Sequence, residues 1–177
     1  MPFRQERVPG NTSRAESEGR AYLRDGRAPI PARESTSRVM SANRAKNTGP
    51  ELALRRELAR LGVRGYRLSP RDVPGRPDLV FRGAKLAVFV HGCYWHRCPR
   101  CRLPLPKTHT AWWLAKFERN CARDRAKELA LRTAKWRVLT LWECKIEEDP
   151  ALCGRKVARA VVAPTRLPRQ LSSRHGH

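Results

Sequence analysis

The spacing of apolar residues divides the chain into a folded middle and two polar ends. Apolar residues recur at helix or strand spacing between residues 36 and 153, but without a period in residues 1–35 and 154–177. Segments that bury little apolar surface cannot offset the entropy that ordering removes. We therefore predict a disordered basic arm over 1–35, one folded domain over 36–153 and a disordered basic tail over 154–177.

The first predicted helix begins at a capping sequence. Thr48-Gly49-Pro50-Glu51 places a hydroxyl and a carboxylate where they can satisfy opposite unpaired amides of the first turn. Leu54, Leu58 and Leu61 follow at i, i+4 and i+7, so one stripe of this helix faces a core. Gly62 then ends the helix.

Extended segments come next along the chain. The pattern predicts strands at 63–68, 78–81 and 85–90, with the last two forming a hairpin around residues 82–84. The run LAVFV is apolar on both faces, which is typical of a central strand covered on both sides.

A long helix and a final strand complete the pattern. Residues 111–134 are predicted to be helical, with Thr110 as the N-cap, and WRVLTLW at 136–142 is predicted to be a strand. The order α-β-β-β-α-β is typical of an α/β sandwich with a mixed sheet.

The net charge of +22 indicates a polyanionic partner, because each phosphate contact releases condensed counterions. Residues 1–47 carry ten basic and five acidic side chains, residues 48–153 carry 22 and 11, and residues 154–177 carry six and none. Half of the excess therefore lies on the part predicted to fold, which favours a basic binding face. A ribosomal-type or merely soluble basic protein fits the charge equally well.

The six cysteines are typical of a reducing compartment. No apolar run approaches the ~20 residues of a membrane span, and the N-terminus shows no secretory signal. Clustered cysteines in that setting more often bind metal than form disulfides. Cys121, inside the long helix, and Cys153, at the boundary with the predicted tail, are interpreted as ordinary cysteines.

The other four cysteines have the spacing of a metal site. Cys93, Cys98 and Cys101 follow the pattern C-x4-C-x2-C, and Cys144 comes after a strand end that can lie beside them. Four thiolates about 2.3 Å from one ion form a closed structural zinc site. The alternative is a group of ordinary buried cysteines.

Three further side chains, at residues 78, 91 and 96, are candidates for metal binding or acid–base catalysis. Asp78 opens an apolar strand after a tight turn, where a charge is costly unless it meets a cation such as Mg²⁺; from residue type alone a capping or surface aspartate fits equally well. His91 and His96 can be zinc ligands, core histidines or acid–base groups. With four cysteines available, zinc does not require them.

The long helix turns from apolar to polar along one face. Trp113, Phe117, Asn120 and Asp124 share that face, and Asp124 can orient a buried histidine, although a solvated helix end has equal weight. Two adjacent aromatic pairs also stand beside basic residues. Tyr94-Trp95 and Trp112-Trp113 are either core or a wedge that enters between base pairs.

Several runs occur in a recognisable order over about residues 36–145: RVMSANRAKNTGPE, PGRPDLVF, VFVHGCYWHRC, PKTHT-x-WWL-x-K and WRVLTLWEC. This series resembles the very short patch repair (Vsr) mismatch endonucleases. The resemblance implies a restriction-endonuclease-like three-layer α/β sandwich with a central mixed sheet and a structural zinc site. It also implies Mg²⁺-dependent nicking of one DNA strand, 5′ of the thymine in a T:G mismatch left by deamination of 5-methylcytosine.

The resemblance further assigns roles to single residues. Asp78 corresponds to the main Mg²⁺ ligand and Val90 to a ligand through its backbone carbonyl, while Glu51 reaches the metals through water. His96 corresponds to the general base, oriented by Asp124. The remaining roles are a phosphate contact for His91 and an intercalating wedge for Tyr94, Trp95 and Trp113.

The zinc site departs from the best-known family pattern, which mixes cysteine and histidine. Cys98 replaces a histidine and Cys101 is shifted by one residue, so we expect an all-cysteine site at Cys93, Cys98, Cys101 and Cys144.

The resemblance also sets the expected cellular context. We expect a monomer in the cytoplasm of a bacterial-type cell, associated with the nucleoid and not with a membrane. Its partners would be mismatched double-stranded DNA, mismatch-repair proteins and a repair polymerase. The alternatives are a non-catalytic zinc-stabilised DNA-binding module and a basic structural protein of a ribonucleoprotein.

Overall fold

The structure is a computed structural model that describes residues 46–163. The predicted arm over 1–35 and residues 36–45 of the predicted domain lie outside these residues. In chain order the elements are α1 Gly49–Arg60, β1 Arg67–Leu68, β2 Leu79–Phe81, β3 Leu86–His91, α2 Thr110–Thr133, β4 Arg137–Trp142, α3 Glu143–Glu148 and α4 Pro150–Val162. Within this part of the chain no helix is long and apolar enough to cross a membrane.

The described residues divide into two compact units. One contains residues 46–103 and 120–163, which include the whole sheet, and the other contains residues 104–119. In the first unit the strands lie in the order β1-β2-β3-β4. The first two pairings are antiparallel, and β3 and β4 pair in parallel. The predicted mixed sheet is therefore confirmed.

Strand β3 is covered on both faces, as its apolar sequence predicts. Leu86 and Val88 belong to one buried cluster together with residues of α1 and α4. Ala87 and Phe89 point the other way, into a second cluster with Leu131 of α2. The alternation follows from the period of two in a strand. Strand β3 is therefore packed between two layers of side chains, which fixes the position of its end.

Helix α1 begins at the predicted cap. The Glu51 amide donates to Thr48 Oγ1 over 3.4 Å, and the Thr48 hydroxyl donates to the Glu51 carboxylate over 3.0 Å. The other Glu51 oxygen accepts from the Asn47 amide at 3.0 Å, one residue before the cap itself. Glu51 is thereby fixed in one orientation at the start of the helix.

The predicted tail begins too early. Asp149 accepts a hydrogen bond from the Leu152 amide at 2.7 Å and Pro150 opens α4, which runs to Val162. Cys153 and Val157 are buried in the main core cluster, so Cys153 belongs to the fold. The absence of acids concealed a short amphipathic helix, and only residues 164–177 of the predicted tail lie outside the described residues.

Two smaller boundaries also differ from the prediction. The first strand is confined to Arg67–Leu68. Thr110 is the first residue of α2 and its hydroxyl donates to the Pro106 carbonyl at 3.1 Å, so the predicted N-cap role is wrong.

Candidate active site and metal centre

Four cysteine sulfurs converge at one end of the sheet. The Sγ atoms of Cys93, Cys98, Cys101 and Cys144 all lie within 4.8 Å of one another. Cys98 and Cys144 are 3.9 Å apart, and none of the four forms a disulfide. Tetrahedral coordination with metal–sulfur bonds of about 2.3 Å places sulfurs about 3.8 Å apart. The group can therefore hold a metal ion with little rearrangement.

Parallel pairing of β3 and β4 brings the cysteines together. His91 is opposite Trp142, so Cys93 and Cys144 each lie two residues beyond that pair. The Cys144 amide donates to Cys93 Sγ at 3.4 Å, and the Cys98 amide donates to the Cys93 carbonyl at 2.9 Å. Burial raises the pKa of the Cys93 thiol above its usual range. A bound cation would offset that cost of forming a thiolate.

Glu143, to which the sequence pattern assigns no role, supports this loop. Its carboxylate accepts a hydrogen bond from the Cys93 amide at 2.8 Å and so ties the end of β4 to the turn after β3. The only sequence signal was its place in the run WEC, immediately before Cys144. A single acid beside a cysteine has no spacing that predicts this contact.

His96 and Asp124 form a hydrogen-bonded pair. The His96 Nδ1 atom lies 2.5 Å from Asp124 Oδ2, and both side chains are partly buried. Burial favours the neutral acid, but the hydrogen bond and the charge of His96 hold the pKa of Asp124 below its usual range. An ionised Asp124 accepts the proton on Nδ1, which leaves the lone pair of His96 on Nε2.

Asn120 lies one turn before Asp124 and also holds the loop. Its Nδ2 atom donates to the Trp95 carbonyl at 3.1 Å. The polar end of the face that carries Asn120 and Asp124 is thus directed at the loop of residues 92–98 rather than being only a solvated helix end.

His91 lies beneath His96. The two imidazole rings are stacked, with centroids 4.1 Å apart and planes 7° from parallel. The Trp142 ring meets the His91 ring edge-on at 5.4 Å. Burial lowers the pKa of His91 to about 4, and the charge of His96 acts in the same direction. His91 is therefore a neutral imidazole at neutral pH.

Asp78 is held at the start of β2 beside the end of β3. One carboxylate oxygen accepts a hydrogen bond from the Val90 amide at 2.7 Å. Burial raises the pKa of Asp78 to about 6, with a further contribution from the negative charge of Glu51. A half-buried carboxylate whose pKa is raised by burial and by a second carboxylate nearby favours a bound cation. The ligand role of the Val90 carbonyl stays a prediction.

A glycine turn sets the position of Asp78. Gly75 has a φ of 74°, and a Cβ atom there would lie 2.8 Å from Cβ of Lys127. The turn before β2 therefore packs directly on α2, one helical turn beyond Asp124.

The two histidines and Asp124 border a cavity of about 310 Å³, whose lining does not include Asp78 or Glu51. Its walls include His91, His96, Asp124 and Lys127. The structure thus brings together the predicted base, its aspartate and the second histidine around open space. Lys127 is the member of this set that sequence reasoning missed.

The aromatic candidates differ in exposure. Tyr94 and Trp95 are half-buried and meet edge to face, with centroids 5.2 Å apart. Trp113 lies in the unit of residues 104–119, is only 8% exposed and contacts Trp112 and Phe117. Its predicted entry into DNA is untested and would require it to become exposed.

Comparison with known proteins places the chain in the class of DNA-cleaving hydrolases. A family model described as DNA mismatch endonuclease Vsr matches residues 30–101. A protein of Xanthomonas oryzae pv. oryzae named Type II nicking enzyme V.XorIIP is 45% identical over 118 residues, which cover 66% of this chain and 85% of that relative. The chain belongs to the Vsr family, and the resemblance stated from its motifs is confirmed.

Two further relatives show how widely the similarity extends. Type II nicking enzyme V.NaeI of Lentzea aerocolonigenes is 43% identical over 142 residues, covering 78% of this chain and 84% of the relative. DNA mismatch endonuclease Vsr of Escherichia coli (strain K12) is 34% identical over 119 residues, covering 67% and 76%.

Proposed function

We propose that this Vsr-family enzyme nicks one strand of double-stranded DNA 5′ of the thymine in a T:G mismatch, the product of 5-methylcytosine deamination, and that it requires Mg²⁺. The observation that carries the proposal is the His96–Asp124 pair at 2.5 Å, in the same unit as the half-buried Asp78 and Glu51 carboxylates. A base and a cation site together are what phosphodiester hydrolysis requires. We assign the α/β fold with its mixed sheet to the restriction-endonuclease-like type.

The residues fit a Mg²⁺ ion. Mg²⁺ is usually held by one or two carboxylates together with water and substrate phosphate, and Asp78 with Glu51 supplies that donor set. Asp78 and the Val90 carbonyl would bind directly and Glu51 through water. Bound Mg²⁺ would supply Lewis-acid stabilisation of the charge that develops on the phosphate.

His96 is the proposed general base. With its Nδ1 proton donated to Asp124, Nε2 can take a proton from a water molecule as that water attacks the phosphorus. Asp124 fixes the ring orientation and stabilises the imidazolium that results. His91, neutral and stacked on His96, would donate a hydrogen bond to a phosphate oxygen.

The cysteine group is the proposed structural zinc site. Four converging thiolates with no open position favour a closed site over a catalytic one. Zinc there would stabilise the loop that carries His96, Tyr94 and Trp95, because metal binding is coupled to folding.

The loop aromatics are the proposed wedge. The half-buried Tyr94 and Trp95 lie between Cys93 and His96 in the chain, and Trp113 completes the predicted set. A mispaired step is cheaper to unstack than a paired one, so a wedge there favours the mismatch. Trp95→Ala should therefore reduce the ratio of nicking between T:G and T:A duplexes, and an unchanged ratio would remove the wedge from the proposal.

The cellular setting belongs to the same proposal. We propose a monomer that acts on mismatched DNA in the cytoplasm, at the nucleoid, with mismatch-repair proteins and a repair polymerase completing the repair.

A strand-specific nicking assay tests the function. Labelled duplexes with T:G, T:A and the other mismatches in several sequence contexts are incubated with Mg²⁺, with Ca²⁺ or with no divalent ion. We expect Mg²⁺-dependent cleavage 5′ of the thymine in T:G and none of the T:A duplex, and the other mismatches measure whether the range is broader. Asp78→Ala should abolish cleavage and leave T:G binding largely intact.

The contrary outcomes are distinct. Full activity of a clean Asp78→Ala preparation would remove Asp78 from the site. Binding of T:G duplex without any cleavage by the wild-type would favour the non-catalytic zinc-stabilised module.

A further inference from the structure

Lys127 lies in the cavity beside the proposed catalytic residues, and no motif of the sequence singles it out. Its Nζ atom is 3.8 Å from Asp124 Oδ1, and its side chain is 33% exposed. It borders the same open space as His91 and His96. A lysine in this place brings a positive charge to a site proposed to receive a phosphate.

The ammonium of Lys127 has donors to spare. A separation of 3.8 Å is longer than the roughly 2.7–3.2 Å of a hydrogen bond, so Asp124 does not consume a donor. Within residues 46–163 the ammonium makes no hydrogen bond. The neighbouring Glu128 is in contrast engaged by Arg132 at 2.6 Å, one helical turn further along.

The stem of Lys127 is fixed by packing. Its Cβ lies where Gly75 allows the turn before Asp78 to approach the helix, at 2.8 Å from a Cβ built on that glycine. The positive charge of Lys127 also reaches the proposed site, where it opposes the rise in the pKa of Asp78 and contributes to the lowered pKa of His91. A lysine whose stem is packed and whose side chain is one-third exposed is preorganised for an anion.

We propose that Lys127 is a catalytic residue of the nicking reaction and donates a hydrogen bond to a non-bridging oxygen of the scissile phosphate. The inference rests on the proposed function. In the step it assists, the water oxygen forms a bond to phosphorus and gives its proton to His96 Nε2. The bond from phosphorus to the leaving sugar oxygen breaks, and that oxygen takes a proton from solvent. Lys127 keeps its own proton throughout.

Substitutions at Lys127 can separate the effect of its charge from the effect of its packing. Lys127→Met retains the stem against Gly75 and removes the ammonium, whereas Lys127→Arg retains a cation. Lys135→Met is the matched control, because it removes the same charge from an exposed lysine that does not border the cavity. All three are compared with wild-type in Mg²⁺ for single-turnover nicking of a T:G duplex at saturating enzyme and for equilibrium binding of that duplex.

We expect Lys127→Met to nick about 100-fold more slowly, which is the usual effect of removing one preorganised donor at developing charge. Its affinity for the duplex should stay within about threefold, since one phosphate contact among many carries little of the binding. Lys127→Arg should recover much of the rate, and Lys135→Met should match wild-type. Thermal melting should be unchanged; should Lys127→Met fold poorly, Lys127→Gln makes the same comparison.

The results that overturn the proposal are equally clear. Wild-type nicking rates in Lys127→Met would do so, as would a loss that lies wholly in binding or one shared by Lys135→Met. A wild-type protein that does not nick the T:G duplex would instead overturn the proposed function, and this inference with it.

Discussion

Burial of Asp78 places a carboxylate where its charge is unfavourable in the absence of a cation. Burial raises the pKa of this group from its ordinary value of 3.8 to about 6. The folded protein therefore binds this proton to a higher pH than the unfolded chain does. The stability that Asp78 contributes is present below about pH 4 and is lost as the pH rises through about 6.

Asp78→Asn should accordingly gain stability over wild-type as the pH rises. Asn stays neutral and can still accept the hydrogen bond from the Val90 amide. In Mg²⁺-free buffer we expect the difference in unfolding free energy to grow by about 1–3 kcal/mol from about pH 4 to about pH 7, measured by urea unfolding.

The exposed Asp72 provides a control, because its pKa is shifted in the opposite direction from that of Asp78. The hydrogen bond from Arg82 lowers the pKa of Asp72, so Asp72→Asn should show no such gain. A stability difference for Asp78→Asn that is constant across this pH range would contradict the burial argument.

Single charged residues mark the limit of what the sequence could predict. Asp124 was a candidate partner for a histidine because its helix face turns from apolar to polar, and the family resemblance then assigned it to His96. Glu143 and Lys127 break no such pattern, and their contacts exist only because β3 pairs with β4 and the Gly75 turn packs on α2. Both packing contacts depend on tertiary structure, so the local sequence does not predict them.

The turn before β2 depends on having no side chain at Gly75. Its φ of 74° is strained for any L side chain, and an added Cβ would meet Cβ of Lys127 at 2.8 Å. Gly75→Ala should therefore lower the unfolding free energy by about 2–4 kcal/mol, through strain and overpacking together, and should slow nicking by displacing Asp78. Denaturant unfolding and the nicking assay measure the two effects.

Two other glycines separate the cost of backbone strain from the cost of overpacking. Gly65 has a φ of 81° but nothing within 4 Å of an added Cβ, so Gly65→Ala should cost only about 1–2 kcal/mol. Gly83 has neither feature, and Gly83→Ala should be neutral. Equal costs at Gly75 and Gly65 would show that the close approach to Lys127 contributes nothing.

The cysteine loop should lose its structure with its metal. A zinc chelator used in the presence of Mg²⁺ should lower the melting temperature by at least about 5 °C and abolish nicking, and added Zn²⁺ should restore both. Metal analysis should find about one zinc per chain.

Single cysteine substitutions inside and outside the cluster provide the matched comparison for the chelator. Cys144→Ser should reproduce the effect of the chelator, whereas Cys121→Ser, outside the cluster, should retain both zinc and stability. Retention of zinc by Cys144→Ser would contradict the four-cysteine site.

Across the whole chain, local patterns predicted what local sequence controls. The Thr48 cap, the two-sided strand β3 and the cysteine group were predictable because each follows from spacing within a few residues or from two strand ends at one sheet edge. Helix α4 was missed because residues 154–177 contain two prolines and no acid, which is typical of a tail, and its amphipathic face is visible only once Cys153 and Val157 are known to be buried. The burial of Trp113 is likewise set by tertiary packing.

The corrected boundary of the fold predicts how the chain tolerates truncation. Val157 is fully buried, and a Cβ on Gly154 would lie 3.0 Å from Glu57 of α1, so α4 packs tightly on the first helix. A chain ending at residue 153 should lose this surface and show no cooperative thermal transition. A chain ending at residue 163 should melt within about 2 °C of the full-length protein.

The chain ending at residue 163 also loses three arginines and no acid, so its DNA affinity should fall and depend less steeply on salt. Circular dichroism melts and duplex binding at several salt concentrations would measure both effects. Equal stability of the two truncated chains would show that α4 is not part of the folded domain.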